Sequence, residues 1–316
     1  MSKHLRIWLF VLLGTLLTFT SLLAQGVITM TTSERVGEEI GLSIKANGNV
    51  TIEGAQETGK TDKFDRKSYR LTSQTITIRG DVTELNCSFN QLISLDVSKN
   101  TALTKLYCFE NELTSLDVSK NTALTTLVCS SNQLTSLDVS KTTALRKLDC
   151  CCNQLTSLDV SKNIALTELD CRENLLTNLD VSKNAVLTTL ACSWNQLTSL
   201  DVSKNIALTE LRCSYNRLTS LDVSKNIALT LLDCCNNKLT SLNLSECTRL
   251  VTLYCYSNCI NGKAMTKLVN SLPNRREKKS GTIFLVDRYS ERRDKNKYSA
   301  AHVATARKKN WVVRQY

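Results

Sequence analysis

The chain has 316 residues, 42% of them apolar and 22% charged, values of a folded globular protein that exclude disorder as its main state. Its formal charge of +11 is unevenly placed: residues 1–24 carry +2, residues 261–316 carry +11, and everything between sums to −2. A nucleic-acid-binding role for the whole body is therefore disfavoured, and the basic character belongs to one end.

The N-terminus begins with a short basic stretch, Ser2 to Arg6, followed by an uncharged apolar run from Ile7 to Leu23 and a small residue, Ala24. This is the pattern of a cleaved export signal, with cleavage expected after Ala24. An uncleaved anchor is the alternative, since seventeen residues lie at the lower limit for spanning a bilayer. The chain is expected to be exported, secreted or held at the cell surface, with the periplasm as a further location.

Residues 25–81 alternate apolar and polar side chains with period two. Ile28–Thr31, Ile40–Lys45, Val50–Glu53 and Thr75–Ile78 read as half-buried strands. Asn47-Gly48 between the second and third is a hairpin signal. A small N-terminal β cap is expected here, shielding the open end of the core that begins at residue 82.

Residues 82–260 are a repeat. Cys87, Cys108, Cys129, Cys150, Cys171, Cys192, Cys213, Cys234 and Cys255 recur every 21 residues, and an asparagine follows each by three positions, from Asn90 to Asn258. One unit reads Leu103-x-x-Leu106-x-Cys108-x-x-Asn111-x-Leu113, continuing x-x-Leu116-Asp117-Val118-Ser119-Lys120-Asn121. One such coil cannot bury its own leucines, but nine stacked coils bury a continuous core, each large side chain contributing about 1.5–3 kcal/mol. Leu106-Tyr107-Cys108 should be a short strand pairing in parallel with its neighbours at about 4.8 Å per coil. At that spacing, with Cβ vectors parallel, the column thiols are expected to stay reduced and buried. A line of identical sulfurs also cannot surround a metal. Cys247 and Cys259 flank the last coil, and their pairing is left open by the sequence.

The unit resembles the leucine-rich repeat, with cysteine in the third leucine place. It is similar to the cysteine-ladder branch of the internalins and to secreted leucine-rich-repeat proteins of Gram-negative anaerobes, which carry the same Leu-Asp-Val-Ser-Lys-Asn half-repeat. The resemblance implies a curved solenoid with parallel β-strands on its concave face, exposed at or beyond the cell surface and used for adhesion. Leu272-Pro273-Asn274-Arg275 is not a wall-sorting motif.

Residues 261–316 lose the period and form an expected basic α/β C-terminal cap. Gly262–Leu272 reads as a helix stopped by Pro273, Ile283–Val286 as a strand, Tyr298–Lys309 as a second amphipathic helix, and Trp311–Val313 as a last strand. Arg275, Arg276, Lys278, Lys279, Arg292 and Arg293 form basic clusters between these elements. They are either a solvated rim or a contact for acidic polysaccharide or nucleic acid.

The repeats also indicate where a partner sits. The half-repeat from Leu to Asn is nearly constant, while residues beside the column cysteine change in every coil. Those positions face outward on the strand surface. They hold all seven aromatics of the repeat region: Phe89, Tyr107, Phe109, Trp194, Tyr215, Tyr254 and Tyr256. They also hold Asp149, Glu168, Asp170, Arg172, Glu173, Glu210, Arg212 and Asp233. An acidic centre between two aromatic patches, suited to a basic segment of a protein partner, is the expected site. Beyond residue 24 the only histidine is His302, and no metalloprotease, phosphate-loop or dinucleotide motif occurs. Asp96-x-Ser98-x-Asn100 lacks the glycine and closing glutamate of a calcium loop and reads as a capped turn. The sequence thus points to a monomeric binding protein with no catalytic residues, cofactor, metal or small-molecule substrate. Its expected partner is an extracellular or surface protein, with polyanion binding by the C-terminal segment as the alternative.

Overall fold

The computed structural model describes residues 26–286 and 294–315. The expected export segment lies outside these residues, as do Arg292 and Arg293. The coils are numbered here by their column cysteine, from coil 1 (Cys87) to coil 9 (Cys255).

Sixteen strands among the described residues join one sheet. At its N-terminal end β1 (Val27–Thr32), β2 (Glu39–Glu53), β3 (Ala55–Thr61) and β4 (Lys67–Leu71) lead into β5 (Thr75–Asn86) and β6 (Leu92–Asp96). The long β5 makes the change of direction. Its first half pairs antiparallel with β1, Ile78 opposite Ile28, while Glu84–Asn86 run parallel to β7 (Lys105–Tyr107). Asn47-Gly48 does not turn the chain. It lies inside β2, where the register to β5 slips between Asn47 and Thr51 and Gly48 and Gly80 take positive φ. The expected hairpin is a bulge, because β5 pairs with both halves of the segment and holds them as one strand.

From β7 onward every coil supplies three strand residues: β8 (Thr126–Val128), β9 (Lys147–Asp149), β10 (Glu168–Asp170), β11 (Thr189–Ala191), β12 (Glu210–Arg212), β13 (Leu231–Asp233) and β14 (Thr252–Tyr254). All pair in parallel with their equivalents in register, Leu169 beside Leu148 and Leu190. One hydrophobic cluster runs the whole length, from Ile28 and Met30 through the leucine, valine and cysteine columns to Trp311.

The asparagine column locks the coils together. Asn132 Oδ1 accepts the Leu113 N–H at 3.0 Å, and its Nδ2 donates to the carbonyls of Cys108 and Cys129 at 3.0 and 3.1 Å. The same pattern repeats at Asn153, Asn174, Asn195, Asn216, Asn237 and Asn258. One carboxamide thus satisfies a buried N–H of the preceding coil that has no other acceptor, and ties together carbonyls of two coils, each of which accepts from two successive asparagines.

After the last coil come α1 (Gly262–Ser271), β15 (Gly281–Val286), α2 (Ala300–Lys308) and β16 (Trp311–Gln315), the two strands extending the parallel sheet. Helix α1 buries Met265, Leu268 and Val269. Helix α2 is not the amphipathic element expected, since Ala306 is its one buried residue.

Replacing Asn153 by alanine orphans the buried Leu134 N–H and removes one of the two carboxamide donors from each of the Cys129 and Cys150 carbonyls. A loss of at least about 2 kcal/mol in urea unfolding is expected. Alanine at the exposed Asn178 should cost almost nothing and serves as the control.

Candidate functional site

The variable residues flank each column cysteine, and the backbone gives them three different settings. The residue before the cysteine stands half-buried on the strand face: Tyr107, Asp149, Asp170, Arg212, Asp233 and Tyr254. The residue after it leaves the strand, and its burial varies from coil to coil.

The second residue after each cysteine has a left-handed backbone in all nine coils, φ between +50° and +57°, at Phe89, Glu110, Ser131, Cys152, Glu173, Trp194, Tyr215, Asn236 and Ser257. None is glycine, although an L-residue there costs about 1–2 kcal/mol. The inter-coil ladder holds the turn: the Glu173 N–H donates to Ser193 O at 3.0 Å and the Asn174 N–H to Trp194 O at 3.2 Å. Sequence reading placed Phe89, Glu173, Trp194 and Tyr215 on the strand. They sit instead on the rim where the strand ends.

Aromatic side chains gather on this rim and face. Trp194 and Tyr215 stack with centroids 3.7 Å apart and planes 9° from parallel, yet remain 53% and 37% exposed. Near the N-terminal end Phe64 stacks on Phe89 at 4.5 Å, and Phe89 meets Phe109 edge-on at 5.1 Å. Toward the other end Tyr254 stacks on Phe284 at 4.5 Å. Phe64 and Phe284 belong to these groups and were missed, because both lie outside the repeat and reach it only through the fold. Tyr256 is removed from the candidate surface. Its side chain is buried, turned toward the Cys235 thiol of the preceding coil.

An open hollow of about 440 Å³ lies over coils 4 to 7, lined by residues that include Lys147, Asp149, Glu168, Asp170, Arg172 and Arg212. The expected acidic centre is more nearly neutral than its composition implies. Lys147 pairs with Glu168 at 2.9 Å, Arg172 with Asp170 at 2.6 Å, and Arg212 with Glu210. Cross-strand register brings the first of these pairs together. Asp149, Glu173 and Asp233 form no ion pair among the described residues, though Asp233 accepts a hydrogen bond from Ser214 Oγ at 3.0 Å. Desolvation raises the Asp149 carboxyl above its ordinary value, against the Cys151 N–H that it accepts. Asp149, Cys151 and Asp170 present ligand atoms within 4.8 Å of one another. Asp170 is already committed bidentately to the Arg172 guanidinium, which makes this a poor cation cage.

All fourteen cysteines are free thiols, Cys247 and Cys259 among them. The ladder thiols are fully buried, and several point at the carbonyl of the next coil, as Cys150 Sγ does at Asp170 O, 3.6 Å away. Burial pushes Cys87 and Cys192 up to about 12, so these sulfurs stay protonated and inert.

In the basic C-terminal segment Arg275 is a structural residue and no candidate for polyanion contact. It is buried, with Nη1 donating to Leu250 O at 2.9 Å and Nε to Lys279 O at 3.0 Å. Arg276, Lys278 and Lys279 are exposed.

An acid held above its unfolded-state value favours the protonated folded chain, so its ionisation costs stability. For Asp149 that cost is absent well below its ordinary value of 3.8 and grows as pH rises through the higher folded value. Asp149→Asn keeps an acceptor for the Cys151 N–H and removes the charge. It should therefore raise the melting temperature by about 1–3 °C at neutral pH, with the difference vanishing in acid.

Comparison with known proteins agrees with this architecture. The family model described as leucine-rich repeats (two copies) matches residues 122–163. The functional domain of InlJ from Listeria monocytogenes, which includes a cysteine ladder, is 36% identical, with a TM-score of 0.52 over 69% of this chain. The present chain spans 52% of that domain, about half its length. A leucine-rich-repeat protein of Leptospira interrogans is 22% identical over 59% of this chain and 58% of its own, with a TM-score of 0.50. The ectodomain of the Arabidopsis thaliana receptor kinase GASSHO1/SCHENGEN3, in complex with CASPARIAN STRIP INTEGRITY FACTOR 2, is 20% identical over 60% of this chain and 25% of its own, also at 0.50. These last two likenesses are of fold. A search of the curated proteins gives no match. The repeat, the in-register parallel strands and the buried thiol column make this chain an internalin-like leucine-rich-repeat protein with a cysteine ladder.

Proposed function

We propose that the chain is an exported, non-enzymatic adhesion module that binds a protein partner through its strand face, centred on coils 4 to 7. The observation that carries this reading is the Trp194–Tyr215 stack, held exposed on coils 6 and 7, two of the four coils that line the hollow. Large exposed aromatics are the residues that anchor protein interfaces, and a pre-stacked pair loses little conformational freedom on binding. Variation between coils is concentrated on the same face, whereas the columns that build the core hardly change. That a distant leucine-rich-repeat ectodomain is known in complex with a protein factor accords with a binding role for this architecture. Asp149 and Glu173, which form no ion pair among the described residues, suit a basic group on the partner.

The test is binding of the chain to a panel of extracellular proteins and acidic polysaccharides at low and high salt. Trp194→Ala combined with Tyr215→Ala should weaken capture of a protein ligand at least about tenfold, with the melting temperature moving by less than about 2 °C. A collapse in melting temperature would show that the pair belongs to the core. Binding confined to polyanions, lost in salt and on neutralising Arg276, Lys278 and Lys279, would transfer the function to the C-terminal segment.

A further inference from the structure

The constant half-repeat ends in one exposed position that changes in kind along the solenoid. It is Thr101, Thr122 and Thr143 in coils 1 to 3, but Ile164, Ile206 and Ile227 in coils 4, 6 and 7. In coil 5 it is Ala185, and the next residue, alanine in the other six of the first seven coils, becomes Val186. None of the four aliphatic side chains is needed by the core. Ile164 is 65% exposed and Ile206 62%, with Ile227 and Val186 close behind. Because the coils stack in register, the three isoleucines share one column with Ala185, and Val186 stands one residue beside it in coil 5.

A second row runs beside it. Lys162, Lys183, Lys204 and Lys225 are exposed and form no ion pair among the described residues. Beyond them stand Asp159, Asp180, Asp201 and Asp222, whose carboxylates each accept the N–H of the following serine at 2.8 Å. On the strand side the neighbours are uncharged threonines, whose hydroxyls are bonded to the backbone of the preceding coil.

We propose that this double row rests the edge of the solenoid on an anionic phospholipid surface. Protein interfaces are depleted in lysine and enriched in aromatics and arginine, and this edge shows the opposite composition. A bilayer surface accommodates both rows at once: aliphatic side chains enter the headgroup boundary while ammonium groups meet lipid phosphates. No helix of the described residues is long and apolar enough to cross a membrane, and the contact proposed is with the bilayer surface. It leaves the strand face of the same coils free for the partner proposed above, and does not depend on that reading.

The experiment is co-sedimentation with vesicles of phosphatidylcholine and phosphatidylglycerol in equal parts, at low and high salt. The protein begins at Gln25, which removes the apolar run Ile7–Leu23 and keeps every described element. The comparison is with I164T/I206T/I227T, which introduces the residue that coils 1 to 3 carry there and should leave thermal unfolding unchanged. The wild-type protein should sediment with the vesicles at low salt, and the variant should partition at least about tenfold less. Failure of the wild-type protein to bind overturns the proposal. So does undiminished binding by the variant, which would place lipid contact on the basic C-terminal segment. A wild-type dimer in solution that the variant dissolves would overturn it too, and assign the row to a second copy of this chain.

Discussion

The structure depends on the register between coils. Each asparagine of the column serves two coils at once, accepting an N–H of the preceding coil and donating to carbonyls of that coil and its own. A slip of one residue would strand these groups in a dry interior, where each costs about 1–3 kcal/mol. It would also turn the leucine columns outward. Strict 21-residue spacing is therefore a physical requirement, and the backbone ladder that runs with it between coils holds non-glycine residues such as Glu173 in left-handed turns.

Register has a second consequence. Equivalent side chains of successive coils stand about 4.8 Å apart in straight columns. A column of leucines becomes core, a column of thiols stays reduced because no two sulfurs face each other, and a column of exposed residues becomes a continuous surface. Two adjacent aromatics in such a column must stack, as Trp194 and Tyr215 do. The fold thus separates core from exposed positions by repeat position alone, and the surface can change while the core does not.

Much of this was legible in the sequence because the repeat spacing is itself the geometry. The cysteine and asparagine columns, the short parallel strands and helix α1 followed from periodicity. What was misread depends on neighbours that periodicity does not name. Asn47-Gly48 has the chemistry of a turn, but pairing with β5 on both sides of it imposes a bulge. Tyr256 and Arg275 look like surface residues, yet contacts with the preceding coil and with the segment after the last coil bury them. The acids of coils 4 to 7 look like a field of one sign until register sets Lys147 beside Glu168 and local geometry folds Arg172 onto Asp170. The left-handed rim gave no signal, since glycine is absent from it. The isoleucine row was hidden within a half-repeat read as constant.

The central claim is that the variable positions of coils 4 to 7 carry binding and no structural duty. The most direct measurement gives Glu168, Asp170, Arg172 and Glu173 together the residues that coil 3 has at those places, Thr126, Val128, Ser130 and Ser131, and adds Trp194→Ser. Thermal unfolding and capture of extracellular proteins from the panel are then compared with the parent chain. The account predicts melting within about 3 °C of the parent and loss of the protein ligand at high and low salt alike. A chain that unfolds, or one that keeps its ligand, would contradict it.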